Sequence, residues 1–235
     1  MDTSLTSAPT QIVTDRDRLI GRLAWIGAWC ALVIGQLHAL ARYRTDDGKS
    51  DLDLPLTRAW ADPAGDLLSP LLTWASPDTV YLTYGKLWLP IFLAFTAAAL
   101  VVYRHRRPHG FEKWAWRVVL VAYVGACVSV AAEYWTQWGH GNDSLLSAVF
   151  LATLPFLVVT MLGSTVLGTT LLVKRYRPTL PAVLLTLALP GALLIPEVTS
   201  LGNIVLPIAF AFGLLGRRMA HSTPTAPLAR QSSPS

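Results

Sequence analysis

Charge is scarce in this chain. Only 14% of its 235 residues are Asp, Glu, Lys or Arg, where a soluble domain carries about 25%. That is too little to cover a water-facing surface, so an ordinary soluble fold is excluded. Cysteine is sparse too: Cys30 and Cys127 stand singly inside apolar runs. Without a CxxC or CxxCH there is no signature of thiol redox chemistry or c-type haem, and no disulfide is expected. HExxH, Gly-x-Ser-x-Gly and P-loop patterns are missing as well. Lysine numbers four against fifteen arginines, and Asn and Ile are few, a bias that fits a GC-rich bacterial genome such as an actinobacterium's.

What the chain has is hydrophobic residues, 53% of the total, gathered in runs. Six are marked off, at 23–41, 80–103, 114–138, 145–173, 180–196 and 201–216. A spanning helix needs about 20 residues. The first four runs meet this; the 29-residue fourth is long enough to tilt or project. The last two sit at the low end and read as a tight hairpin through Glu197-Val198-Thr199-Ser200. Ser76-Pro77-Asp78 and Asn142-Asp143-Ser144 mark helix starts. The reading is an all-α integral membrane protein of about six transmembrane helices over 19–216. Polar ends, 1–18 and 217–235, are expected to be disordered in the cytoplasm.

Basic residues set the orientation. Fourteen precede the first run, follow the last, or lie at the junctions of runs two with three and four with five; the alternate loops hold four, Arg42, Arg44, Lys49 and Arg58. This alternation follows the positive-inside rule and places both termini in a bacterial cytoplasm. The net charge of +5 is thereby used for topology, and no nucleic-acid partner is expected. Tyr103, Trp114, Trp116 and Tyr176 fall at the inner boundary, and Tyr43, Tyr81, Tyr134, Trp135 and Trp138 at the outer one. The Arg-rich flank, the first run and Ala39-Leu40-Ala41 resemble a cleavable signal peptide. The run's length, Trp25, Trp29 and its polar end favour a retained helix.

The first outer loop, 42–79, holds seven of the 14 acids. Asp62-Pro63 and Ser69-Pro70 each predict a short helix start. Leu67, Leu68, Leu71, Leu72 and Trp74 give these helices an apolar stripe against the bundle or the interface. Asp46 to Asp53 resembles a calcium loop superficially but lacks the closing Glu, so it reads as a solvated acidic turn; no metal and no cofactor is expected.

Ionisable side chains within spans are costly, about 2.5–3.5 kcal/mol at the centre. Lys86, Glu133, Glu197, His38, Asn203 and Gln36 all fall in the outer leaflet. They predict either an outward-facing polar pocket or structural pairs such as Lys86 with Glu133 or Glu197. Pro90, Pro155, Pro190 and Pro207 free the carbonyls of Lys86, Leu151, Thr186 and Asn203, so bends are expected in helices two, four and six. Ser164 and Gly168 form a small-xxx-small pair for close helix packing, inside the chain or between copies of a homo-oligomer.

No pattern assigns catalytic residues. The leading expectation is a non-catalytic subunit, scaffold or sensor whose pocket meets membrane lipid, or whose loop 42–79 meets a protein partner. A small transporter or channel is the first alternative, although helices one to three share no motif with four to six. An outer-leaflet enzyme acting on a lipid or isoprenoid, using Glu133, Glu197, His38 and Lys86 as acids and bases, is the second.

Overall fold

Thr14 opens the first helix. Its hydroxyl accepts the Asp17 N–H at 3.2 Å while the Asp17 carboxylate accepts the Thr14 N–H at 3.1 Å, a reciprocal cap. Helix α1 therefore starts well before the apolar run and covers Asp15–Arg42. The computed structural model describes residues 13–137 and 143–221, with side chains from 147 in the second stretch. Of the ends expected to be disordered, 1–18 and 217–235, residues 15–18 and 217–221 are instead helical; those up to residue 12 and from 222 lie outside the described residues, as do Trp138 and the side chains of the Asn142-Asp143-Ser144 start.

Among the described residues the chain is helical throughout, with no strand. After α1 come α2 (Pro55–Leu67), α3 (Ser69–Leu72), α4 (Pro77–Lys86), α5 (Trp88–Arg106), α6 (Phe111–Tyr134), α7 (Asp143–Val173), α8 (Thr179–Thr186), α9 (Ala188–Leu194) and α10 (Leu206–His221). Five units are long and apolar enough to cross a membrane: α1, α4 with α5, α6, α7 from Ser147, and Leu201–His221. There are six if α8 and α9, bent by 47°, count as one broken span.

One expected proline break, in helix two, is present; a second opens in helix five, where no bend was expected, and each is mended by a neighbour. Pro90 cannot donate to the Lys86 carbonyl, and the chain breaks at Leu87 between α4 and α5. The freed carbonyl accepts the Trp135 indole N–H at 3.2 Å. Pro190 likewise frees Thr186, and the break falls at Leu187. Thr165 of α7 bridges that gap: its hydroxyl donates to the Thr186 carbonyl at 3.2 Å and accepts the Leu189 N–H at 3.0 Å. The other two prolines differ from expectation. α7 runs through Pro155 as one helix. Pro207 sits in the first turn of α10, where a missing N–H costs nothing.

A close helix crossing joins α1 to α10. Gly21 and Gly216 put backbone against backbone, so a side chain on either would strike the other's carbonyl. Ala24, Ala28 and Ala31 continue the seam, each 2% exposed or less. Small residues at three- and four-residue spacing let the helices approach this closely. The centre of the bundle is filled by Phe95, Trp116, Tyr123 and Phe212, in tilted and edge-on contacts that suit aromatic quadrupoles. Trp116, expected at an interface, is thus a core residue, while its neighbour Trp114 is 65% exposed.

The basic junctions share one end of the bundle. There Glu112, 2% exposed, takes both Arg106, through two contacts, and Lys174 at 2.9 Å, while Arg106 lies 4.8 Å over the Tyr176 ring. His105 bonds Asp17 at 3.2 Å, and Arg217 lies over Trp25. At the other end, α2 lies across the turn before α10: the Trp60 indole N–H donates to the Val198 carbonyl, and the Thr57 hydroxyl to that of Glu197. Pro63 is inside α2 rather than at a helix start, because Leu54-Pro55 already supplies the start; Ser69-Pro70 does open α3. Of the expected leucine stripe only Leu72 is fully buried, and Leu67 is 80% exposed.

Candidate functional site

A cavity of about 480 Å³ opens at the end opposite the Glu112 cluster. His38 and Arg42, four residues apart on one face of α1, form one wall. Tyr81 and Trp88, seven apart across the α4–α5 break, form another. Val130, Glu133 and Tyr134 come from α6, Phe150 and Leu157 from α7, and Ser200, Gly202, Ile204 and Val205 from the turns before α10. Asp47 and Asp51 of the first loop close the rim. The result is two-faced: charged and hydroxyl groups at the mouth, and apolar residues of α5, α6, α7 and α10's approach along the side.

His38 is the most enclosed polar residue of this wall. Its ring is 3% exposed, stacked on Tyr81 at 4.6 Å and met edge-on by Tyr134 at 5.5 Å. Neither ring nitrogen has a hydrogen-bond partner among the described residues, nor does the Ser200 hydroxyl or the Trp88 indole N–H. The Tyr81 and Tyr134 hydroxyls lie 3.3 Å apart. Arg42 is anchored by the Asp51 carboxylate at 2.7 Å. Tyr43, just past the end of α1, has its phenol pushed up to about 12 by burial, so it stays uncharged beside this group.

The six expected pocket residues divide. His38 and Glu133 line the cavity. Asn203 is near but serves packing: fully buried, its amide donates to the Thr199 hydroxyl at 2.7 Å and the Gly35 carbonyl at 3.4 Å. Gln36 accepts the Thr199 hydroxyl at 3.5 Å and lies outside the lining. Glu197 is a correction: a 3-10 turn at Ile195–Glu197 leaves its side chain exposed and only its carbonyl engaged by α2. Lys86 is another: it ends α4 outside the lining, with its carbonyl at Trp135. Among the described residues, neither Glu133 nor Glu197 enters an ion pair. Asp46, Asp51 and Asp53 of the acidic turn each face a cation, namely Lys49, Arg42 and Arg58.

The packing pair also separates by role. The Ser164 hydroxyl bonds Tyr123 at 2.8 Å and the Thr160 carbonyl at 2.6 Å. Gly168 meets the broken helix, with the Ala182 carbonyl 2.7 Å from where a side chain would begin. The face of α7 carrying Gly168 is therefore covered by α8 of the same chain.

Sequence reasoning missed Arg42, Tyr81, Tyr134, Trp88, Ser200 and Gly202 as lining residues. The tyrosines read as interface anchors, yet both are buried, 8% and 7% exposed. Helical spacing held the signal: Arg42 lies one turn beyond His38, and Tyr134 one turn beyond Val130. Comparison with protein-family models, curated proteins and solved structures gave no match, so the site stands on its own geometry.

Proposed function

We propose that this chain is a multi-pass protein of a bacterial cytoplasmic membrane, with both termini inside, whose outward-facing cavity holds an amphiphilic lipid in a non-catalytic role as a sensor or subunit. The observation that carries this is the cavity's division into a polar mouth and an apolar side wall, since ligand sites pair broad apolar lining with a few placed polar groups. Gathering of the arginine-rich junctions at the far end supports the orientation. The aromatic fill of Phe95, Trp116, Tyr123 and Phe212 favours a blind pocket over a channel. Loop 42–79, which already reaches the turn before α10, is the surface for a protein partner.

Two measurements test this. In a Cys30→Ser/Cys127→Ser background, Asp46→Cys reacts with a membrane-impermeant maleimide on intact cells, and His109→Cys reacts only after lysis; the reverse pattern refutes the orientation. Native mass spectrometry of protein exchanged into a non-lipid detergent finds one lipid-sized mass retained. A protein that is always bare refutes the cavity reading.

A second reading, an outer-leaflet lipid-modifying enzyme, draws on His38, Glu133 and Ser200 sharing one cavity. Chemical change of a retained labelled lipid would favour it.

A further inference from the structure

The cavity's polar atoms narrow the class of lipid. We infer that its mouth is built for an uncharged, hydroxyl-rich head group, a sugar or other polyol carried on an apolar chain. This rests on the lipid-holding reading above and adds the chemistry of the head.

His38 and Ser200 are 3% and 4% exposed, line the cavity and lack hydrogen-bond partners among the described residues. Both flank one gap. The point where a Gly202 side chain would begin lies 3.2 Å from His38 Nδ1, 3.6 Å from His38 Cε1 and 3.7 Å from Ser200 Oγ. Because residue 202 is glycine, no side chain presses on either group from that side, and two unsatisfied polar atoms flank one small space. Leaving such atoms unmatched is costly in a buried site.

The matching group must both give and accept. A neutral imidazole presents one donor and one acceptor nitrogen, and a serine hydroxyl can act either way. A ligand hydroxyl offers both functions at a single atom. An ammonium only donates, and a phosphodiester only accepts.

The charges agree. Asp47, Asp51 and Glu133 line the cavity against one guanidinium, Arg42, and that cation is already held by Asp51 at 2.7 Å. A phosphate would meet unopposed carboxylates, whereas hydroxyls donate to carboxylates readily. Tyr81 and Trp88, packed against the His38 ring, line the cavity beside these groups. Below them Phe92, Val130, Leu157 and Val205 offer the chain an apolar track. At roughly 30 Å³ per water-sized unit, 480 Å³ accepts one ring and the first part of a chain.

The test is a head-group series on identical acyl chains: glucosyl-diacylglycerol, phosphatidylglycerol, phosphatidylethanolamine and the 3-O-methyl ether of diacylglycerol, which has no hydroxyl, offered in equal amounts to wild-type protein and read by native mass spectrometry. Expected is retention of the glucosyl lipid about tenfold above the methyl ether, the margin of one or two well-made hydrogen bonds. Gly202→Ala, which sets one methyl 3.2 Å from His38 Nδ1, a tight contact to which the ring must yield by a few tenths of an ångström, should bring the two level. Preference for either phospholipid, equal retention of all four, or indifference to Gly202→Ala overturns the head-group inference while a bound lipid still upholds the cavity. No retention of any lipid overturns both.

Discussion

Replacing Thr165 by valine removes a hydroxyl and little else. In the folded chain that hydroxyl mends the break between α8 and α9 from the neighbouring helix, donating to the Thr186 carbonyl and accepting the Leu189 N–H. Proline at 190 makes the break permanent, so without Thr165 two backbone groups lose their partner, the arrangement that a bilayer would tolerate least. Measured hydrogen bonds between helices in membranes average about 0.6 kcal/mol and reach about 1.7 kcal/mol. Two bonds at one atom, both to backbone, therefore come to about 2 kcal/mol. For a chain of this size that is roughly 4–8 °C in melting temperature. The assay is thermal unfolding in one fixed detergent, comparing wild type, Thr165→Val and Thr165→Ser. Serine keeps the hydroxyl and should stay close to wild type; valine keeps the shape and should fall. If valine melts with wild type, or serine falls as far as valine, the hydroxyl does not mend the break.

Two further changes test packing. Gly216→Leu drives a side chain into the Gly21 carbonyl and should cost about 1–3 kcal/mol or more as overpacking, read as loss of monodisperse protein in size-exclusion chromatography. Gly65→Ala, with nothing within 4 Å, should leave stability unchanged or slightly raised, and a comparable loss there would discredit the steric argument. Glu112→Gln removes the charge that Arg106 and Lys174 share. Because those cations are 25% and 44% exposed, the cost should be about 1–2 kcal/mol rather than that of a fully buried pair, a fall of roughly 2–8 °C; an unchanged melting curve would show the contact to be ornamental.

The spans and the gathering of basic junctions at one end were legible, because hydrocarbon length and arginine placement are one-dimensional signals. Pro90 located the break at Leu87, since a missing N–H acts locally, whereas the Pro190 break at Leu187 opened in helix five, where no bend was expected. Proline positions could not tell which breaks open: Pro207 falls in a first turn and Pro155 inside an unbroken helix, outcomes set by packing and by where the helix begins. Of the proposed site, His38 and Glu133 were legible as polar residues in apolar runs. Glu197 and Lys86 misled, because depth along a span says nothing about the direction a side chain takes at a turn or a break. Tyr81, Tyr134 and Trp116 misled for a related reason: an aromatic near a helix end suits a headgroup and a core equally, and only the neighbouring helices decide. The α1–α10 seam, built on Gly21, Ala24, Ala28 and Ala31, went unread because its partner lies at the far end of the sequence.

Glu112 gives the molecule a fastened base. It ties the α5–α6 corner to the α7–α8 corner through one carboxylate and two cations, while Gly21 and Gly216 lock α1 to α10 at the same level. Any parting of α7 from α6 is then hinged, like tongs, at that pinned foot and is widest at the cavity end. A tether between those two helices near Phe150 would close the entrance without touching a single residue that meets the guest's head.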